Sequence, residues 1–382
     1  MAKRAAKRVK VAVATGTRAE YGILRPVLRA IAAHPMLELQ VVATGMHLLK
    51  EFGNTIAEVR ADEFGVAAEV VMYRGGDHPA DSLARGTAGL AKAFRELEPE
   101  VVVVLGDRLE MLAAAGAALC EHQLIAHIHG GETAPGQFDE QIRHAITKMA
   151  HVHFAATATA AARIRQMGED PRSVHVVGAP ALDAAVANRK TLPARRHGGI
   201  RPVLIYHPTS PDDAVEYRRA AMLVRGLRKQ FADIGVVGPN NDPGHAGILR
   251  AYQELLRPEE LAMSIPQEVF WTVLWDAGLL VGNSSSGIIE AATFHTAVIN
   301  VGGRQGARER SGNVIDVDFS PAALQEAIRR ALSDGFRKTL HGMRNVYGDG
   351  KSSPRIARVL AEVGSRHAVP LKGFADYSSQ AR

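Results

Sequence analysis

The chain has 382 residues, 46% of them apolar and 23% charged, which is enough for a large core and, at this length, for two domains rather than one. The formal charge is +6, but Lys3, Arg4, Lys7, Arg8 and Lys10 crowd the first ten residues and aromatics are only 5%, so the basic run reads as a solvated tail and a nucleic-acid-binding face is excluded. Cys120 is the single cysteine, which excludes an internal disulfide and a cysteine-built metal site; no apolar run is long enough to span a bilayer, and the chain reads as cytoplasmic.

Residues 9–14 predict a β-branched strand running into Thr15-Gly16-Thr17-Arg18-Ala19-Glu20 and a helix over 21–33. A second strand, 39–44, ends at Gly45-Met46-His47. A helix over 54–64, a strand at 69–72 and a helix over 81–96 follow. The run 101–105, four valines and a leucine, predicts a strand buried on both faces, and it ends in Gly106-Asp107-Arg108-Leu109-Glu110. After a helix over 111–120, a strand at 124–128 turns at His129-Gly130-Gly131-Glu132. A loop with Pro135 and Gly136 then precedes a helix from 138 through 148 that carries Asp139, Glu140, Arg143 and His144. Short strands at 152–155 and 174–177 flank a further helix.

Residues 188–201, with Pro193, Gly198 and Gly199 and no apolar period, read as a linker. The strand–helix alternation then restarts. A strand at 203–206 ends in His207-Pro208-Thr209-Ser210, a helix covers 213–231, and a strand at 234–237 ends in Gly238-Pro239-Asn240. A helix at 270–276 and a strand at 277–281 lead into Gly282-Asn283-Ser284-Ser285-Ser286-Gly287, with a helix over 288–294 bearing Glu290. The strand at 297–301 ends in Gly302-Gly303-Arg304-Gln305. Helices over 320–333 and 353–365 and a polar, frayed tail at 370–382 complete the chain. Polar, glycine-bearing turns after the C-terminal ends of strands are the mark of a doubly wound α/β sheet that binds ligands there.

In the second half, the serine turn at a helix N-terminus offers N–H groups and hydroxyls to an anion. Glu290, about one turn into the helix, comes within reach of two sugar hydroxyls. With His207, Arg304, Arg308 and Arg310 this set suits a nucleoside diphosphate; the plainer reading of the serines is an N-cap cluster. The first half offers Arg18, His47, Asp107, Arg108, His129, Glu132, Asp139 and His144, a set suited to acid–base work, although Asp107 and Asp139 also fit as helix caps. His127 and His129 lie two apart on a strand and lack a defined third ligand, so a satisfied or substrate-facing histidine is favoured over a metal site. There is no Gly-x-Gly-x-x-Gly for a dinucleotide, no Gly-Lys-Ser/Thr phosphate loop and no Gly-x-Ser-x-Gly elbow.

Taken in order, Thr15 to Glu20, Leu105 to Glu110, His127 to Glu132, Asp139 to Lys148, Gly178-Ala179-Pro180, Tyr206-His207-Pro208, Gly282 to Glu290, Gly302 to Gln305 and Gly312-Asn313-Val314 form a set. This ordered set resembles the UDP-N-acetylglucosamine 2-epimerases, specifically the hydrolysing branch that supplies sialic-acid-type pathways, over about 11–358. The resemblance implies a GT-B-like α/β fold with two Rossmann-like, doubly wound parallel-sheet domains and a cleft between them. The domains would be 9–188 and 200–352, with a C-terminal helix and tail, 353–382, packing back on the first. It implies that UDP is eliminated with loss of the carbon-2 proton, and that water then adds to the glycal to release N-acetylmannosamine. The alternatives are the same chemistry on a 2,4-diacetamido-6-deoxy sugar nucleotide and, less favoured, a GT-B glycosyltransferase. No cofactor or metal is implied, and the partners are a UDP-sugar and further copies in a homodimer or homotetramer, with no nucleic acid or membrane. Arg18, Arg108, His207, Ser284, Ser285, Glu290 and Arg304 match UDP-contacting positions, and Asn240 a position in the second domain. His47, Ser286 and Gly287 join the substrate set by their turns. Asp107 and Asp139 match catalytic carboxylates. The chain departs from several relatives at His129, where they carry glutamate, so His129 or Glu132 takes that role.

Overall fold

The structure, a computed structural model, describes residues 7–49, 53–133, 138–194, 200–365 and 372–376. The chain divides into two compact units, Met1–Asp183 with Gly350–Arg382, and Ala184–Asp349.

The first unit carries strands β1 (Val9–Thr15), β2 (Leu37–Thr44), β3 (Ala68–Val70), β4 (Val101–Leu105), β5 (Leu124–Ile128), β6 (Val152–Ala155) and β7 (Val174–Val176). All pair in parallel in the order β3-β2-β1-β4-β5-β6-β7. Between them run α1 (Arg18–Ala32), α2 (Ile56–Ala61), α3 (Pro79–Leu97), α4 (Leu109–Cys120), α5 (Phe138–Met149), α6 (Ala158–Gln166) and the start of α7 (Ala181–Arg189). The sheet is buried on both faces, which is why its strands read as unbroken apolar runs. Val11, Val13, Val101 and Val103 pack on one side with Leu24, Leu28 and Ile31 of α1. Ala12, Ala14, Val102 and Val104 pack on the other with Phe94 of α3 and the alanine-rich face of α4. Strand order reverses between β1 and β4, so the turns after these two strands flank the switch point, the place such sheets use for ligands.

The second unit repeats the plan with β8 (Val203–Ile205), β9 (Gly235–Val237), β10 (Leu261–Ala262), β11 (Leu279–Gly282), β12 (Ala297–Val301) and β13 (Val314–Val317), all parallel, in the order β10-β9-β8-β11-β12-β13. Its helices are α8 (Asp213–Arg228), α9 (His245–Leu255), α10 (Gln267–Ala277), α11 (Ser285–Ile289), α12 (Pro321–Leu332) and α13 (Asp334–Leu340). The switch point lies between β8 and β11. The helix expected over 288–294 is a correction: α11 covers Ser285–Ile289, and a separate 3-10 turn takes Ala291–Phe294. The stretch read as a linker begins inside α7. Pro193 within it accepts a hydrogen bond from Trp275 Nε1 at 2.9 Å, and 195–199 lie outside the described residues.

Helix α14 (Ser352–Gly364) belongs to the first unit. Asp183 accepts from the N–H groups of Ser352 and Ser353 at 2.8 and 2.6 Å, capping the helix start with a carboxylate. Ile356, Ala357, Val359 and Leu360 join the β1/β4 core. Gly364 is set so close to the sheet that a Cβ there would stand 2.3 Å from Val9 Cγ1.

The expected solvated and frayed ends are partly corrected. Lys10 lies within β1, and Lys7 pairs with Glu100 at 2.8 Å, whereas Lys3 and Arg4 fall outside the described residues. In the tail, Lys372 donates to the Lys148 and Ala150 carbonyls at 2.5 and 2.6 Å, closing the end of α5. It also pairs at 2.7 Å with Glu169, whose side chain is buried and further held by Lys148 at 2.6 Å and His153 Nε2 at 3.0 Å. Burial alone would raise the Glu169 pKa, but the hydrogen bonds from His153, Lys148 and Lys372 outweigh it and bring the carboxyl down to about 2. A carboxyl lowered on folding stabilises above its unfolded pKa and loses that contribution as pH falls through the folded value. Lys372→Met is therefore expected to destabilise the protein by about 1–3 kcal/mol at neutral pH. Thermal melting should show that difference shrinking as pH drops from about 5 toward 2. A deficit that stays constant over that range would remove Glu169 from the account.

Candidate active site

At the first unit's switch point two glycines make room for a carboxylate. A Cβ at Gly16 would stand 2.8 Å, and one at Gly45 2.6 Å, from Glu110 Cγ, and Gly45 is also in the left-handed region at φ +60°. Glu110, fully buried, pairs with Arg108 through Nε–Oε2 at 3.2 Å. Burial works against the Arg108 charge, but Glu110, Tyr73 and Glu20 more than offset it and hold the guanidinium above its ordinary pKa. Glu20, 5% exposed, makes no side-chain hydrogen bond of normal geometry among the described residues. Burial first, and then the neighbouring Glu110, raise its pKa well above the ordinary value, against the opposing charge of Arg108. His47 is anchored by Thr15 Oγ1 at 3.1 Å and Thr55 Oγ1 at 2.8 Å, and burial takes it down to about 4, which keeps it neutral. Arg18 does not join this group: its side chain is 72% exposed and pairs with Glu58 at 3.0 Å.

One strand over, Gly106 (φ +77°) turns the chain after β4 and its carbonyl lies 2.7 Å from His127 Nε2. His127 Nδ1 faces Thr147 Oγ1 at 3.2 Å, and burial lowers this histidine to about 3. His127 is thus a neutral brace between the β4 turn and α5. Asp107, at the braced turn, forms an ion pair with the buried Arg143 of α5. Arg143 lies 3.9 Å from Glu140, which in turn contacts His144 at 3.2 Å. His129 leaves the neighbouring strand at φ +64°, and its Nδ1 meets Glu132 Oε1 at 2.5 Å. Asp107 and the His129–Glu132 pair therefore follow adjacent strands, while Asp139 occupies the first turn of α5. The loop with Pro135 and Gly136 lies outside the described residues. Among the described residues no group of three or more His, Cys, Asp or Glu is placed to hold a metal ion.

In the second unit Gly282, at φ +133°, lets Asn283 turn under His207. His207 Nδ1 accepts from the Asn240 N–H at 3.1 Å, and burial, reinforced by Arg304, brings the ring down to about 4. A neutral ring with Nδ1 accepting carries its proton on Nε2. Asn240 also donates to Asp242 at 2.6 Å. Ser284 caps α11, its Oγ 2.8 Å from Ser286 Oγ and 3.4 Å from Ser286 N. Ser285 opens the helix, which is only five residues long, so an anion here would rely on local N–H groups, hydroxyls and Arg304 rather than on a macrodipole. Gly287 serves packing: a Cβ there would meet Leu280 and Val298 at 3.1 and 3.2 Å. Glu290 is the C-terminal cap of α11, not a residue inside a longer helix, and it accepts from Trp271 Nε1 at 2.7 Å while burial raises its pKa. Arg304 donates to the Asn283 carbonyl at 3.3 Å and lies 3.9 Å from Asp242. Arg308 is held by Gln305 at 2.9 Å and Arg310 by Asp316 at 3.0 Å.

The structure thus groups Arg108 and His47 near β1, Asp107, His129 and Glu132 after β4 and β5, and His207, Asn240, Ser284 and Arg304 after β8, β9, β11 and β12. Sequence reasoning left Glu20, Glu110, Arg143, Trp271 and Asn283 without a role. Only Asn283 carried a local signal, as a polar residue just after the apolar run 277–281; the others gain their roles from partners elsewhere in the fold.

Two Rossmann-type parallel sheets in one chain, each with its polar turns at the switch point, define the GT-B-like class. A crystal structure of the UDP-GlcNAc 2-epimerase from Neisseria meningitidis bound to UDP-GlcNAc shares this fold with a TM-score of 0.78 at 18% identity, covering 93% of this chain and 100% of that one. Residues 29–361 match the family model described as UDP-N-acetylglucosamine 2-epimerase, and the chain belongs to that family. It is 36% identical to the UDP-N,N'-diacetylbacillosamine 2-epimerase (hydrolyzing) of Legionella pneumophila, over 93% of this chain and 96% of the relative. It is 34% identical to the UDP-N-acetylglucosamine 2-epimerase of Neisseria meningitidis, over 84% and 87%. No helix among the described residues is long and apolar enough to cross a membrane.

Proposed function

We propose that this enzyme is a hydrolysing 2-epimerase of a UDP-linked 2-acetamido sugar, with UDP-N-acetylglucosamine as its substrate. The observation that carries the reading is the ion-paired Asp107 beside the His129–Glu132 pair at adjacent strand ends, in a chain that also carries an arginine-and-serine turn suited to a diphosphate. Arg304, the hydroxyls of Ser284, Ser285 and Ser286, and His207 Nε2–H take the diphosphate oxygens, with Arg108 adding charge and the exposed Arg18 exchanging its Glu58 partner for a phosphate oxygen. Glu290, fixed by Trp271, takes the ribose hydroxyls, and Asn240 lines the same pocket. His47 contributes a neutral contact.

Asp107 takes the carbon-2 proton, and the electron pair of that C–H bond becomes the C1=C2 double bond. The C1–O bond breaks with its electrons leaving on UDP, where Arg304 and His207 stabilise the growing charge. Water then adds its oxygen to C1 and carbon 2 regains a proton on the other face, giving the free 2-epimer. The His129–Glu132 pair activates the water, and Asp139 assists proton return. A nucleotide-sugar substrate goes with a cytoplasmic enzyme, and a homodimer or homotetramer, readable by light scattering, belongs to the same proposal.

A second reading, favoured by the 36% identity to the Legionella enzyme, places a 2,4-diacetamido-6-deoxy sugar on the UDP. Parallel incubations with the two nucleotide sugars decide between them by which one yields UDP and a free sugar. If neither is consumed by folded protein, both readings are lost.

A further inference from the structure

Asn283, fully buried at the end of β11, forms a closed amide pair with the backbone of His207. Its Oδ1 accepts the His207 N–H at 2.8 Å and its Nδ2 donates to the His207 carbonyl at 2.8 Å. Its own carbonyl accepts from Gln305 Nε2 at 2.9 Å and Arg304 Nη1 at 3.3 Å, and its N–H donates to the Ile205 carbonyl at 3.1 Å. One side chain and its peptide therefore tie together the ends of β8, β11 and β12. The fourth contributor is the loop after β9, whose Asn240 N–H reaches His207 Nδ1 at 3.1 Å. The side-chain amide is the chemically specific part. It supplies one acceptor and one donor at fixed spacing to a backbone that needs both. A carboxylate of the same shape would accept from the N–H but set lone pairs against the carbonyl.

We propose that Asn283 is a positioning residue, which holds His207 so that its ring accepts from Asn240 and presents Nε2–H to a diphosphate, with Arg304 anchored on the same peptide. This rests on the reading of His207 as a UDP contact. Asn283 does not touch the substrate; it sets the orientation of two groups that do.

The isosteric Asn283→Asp and the truncating Asn283→Ala test it, beside His207→Ala and the double variants. With 15N-labelled histidine, the native His207 ring, which faces the charges of Arg304 and Asp242, is expected to stay in the neutral Nε2–H form from pH 5.5 to 8. In Asn283→Asp it should show mixed tautomers and titrate within that range. Calorimetry with UDP should show about tenfold weaker binding for Asn283→Asp, but no further loss when the change is made on top of His207→Ala. A merely structural residue would lower affinity equally in both backgrounds. That outcome, or a native ring signal with native affinity, overturns the proposal. Should Asn283→Ala fail to fold, Asn283→Asp and its double variant still decide. If the unaltered enzyme binds no UDP, the functional reading falls, while the ring spectra still judge the clamp.

Discussion

Asp107→Asn is expected to slow UDP release from the nucleotide sugar by about 10²–10⁴-fold, the range associated with a positioned acid–base group. UDP affinity should stay within about threefold of native, because the groups assigned to UDP binding lie mainly in the second unit. The substitution keeps the size of the side chain and deletes its charge. The turn itself is held independently, by His127 on the Gly106 carbonyl at 2.7 Å and by the Gly106 N–H on the Ile128 carbonyl at 2.9 Å. The structural cost falls on Arg143, which keeps Glu140 at 3.9 Å but loses its charged partner on the β4 turn. A melting temperature only slightly lowered, together with a collapsed turnover, separates a chemical role from a packing one. Near-native turnover would take Asp107 out of the proton step and leave it as an anchor for Arg143.

Gly282→Ala is expected to be the most damaging single methyl in the second unit. A Cβ there would stand 1.9 Å from the carbonyl oxygen of Ile205 and 2.6 Å from its carbon, and the residue sits at φ +133°. Gly282 pairs with Ile205 in the sheet, so the clash cannot be relieved without parting β8 from β11. The expected cost exceeds about 4 kcal/mol, against a total stability of about 5–15 kcal/mol for a typical domain. Circular dichroism and calorimetry should show a lost or much earlier transition and no UDP binding. Gly303→Ala is the matched control: nothing lies within 4 Å of a Cβ there and the backbone is ordinary, so its melting should stay near native. Equal behaviour of the two variants would contradict the close approach at the β8–β11 junction.

The sheets were legible because buried parallel strands need apolar runs and their turns need glycine. Val101–Leu105 and the Gly106-Asp107 turn are the plainest case. Helices α9 and α13 and strand β13 were not placed: α13 has few apolar positions and β13 is four residues long, whereas α9 carries a readable helical period at Ile248, Ala251, Tyr252 and Leu255 that was passed over. The split at Glu290 was not legible locally, and neither was the partner of its carboxylate, Trp271, 19 residues earlier. The same limit applies to the candidate site. Asp107, His129 and His207 announce themselves by following strands. Arg143 and Asn283 acquire meaning only through partners at Asp107 and His207, the latter 76 residues away. Glu110 sits in plain view within a quoted motif, yet its burial follows from Gly16 and Gly45 leaving space, which is a property of the packed sheet. Lys372 lies in a polar tail with no pattern at all, and its three backbone acceptors come from residues more than 220 positions earlier.

The most direct test of the proposed chemistry is proton NMR of the reaction in heavy water, with the purified enzyme and each of the two UDP-sugars. Elimination followed by hydration predicts free UDP, a free sugar of the opposite configuration at carbon 2, and deuterium at that carbon in the product. A product that retains its original carbon-2 hydrogen, or one that remains attached to UDP, would contradict the account.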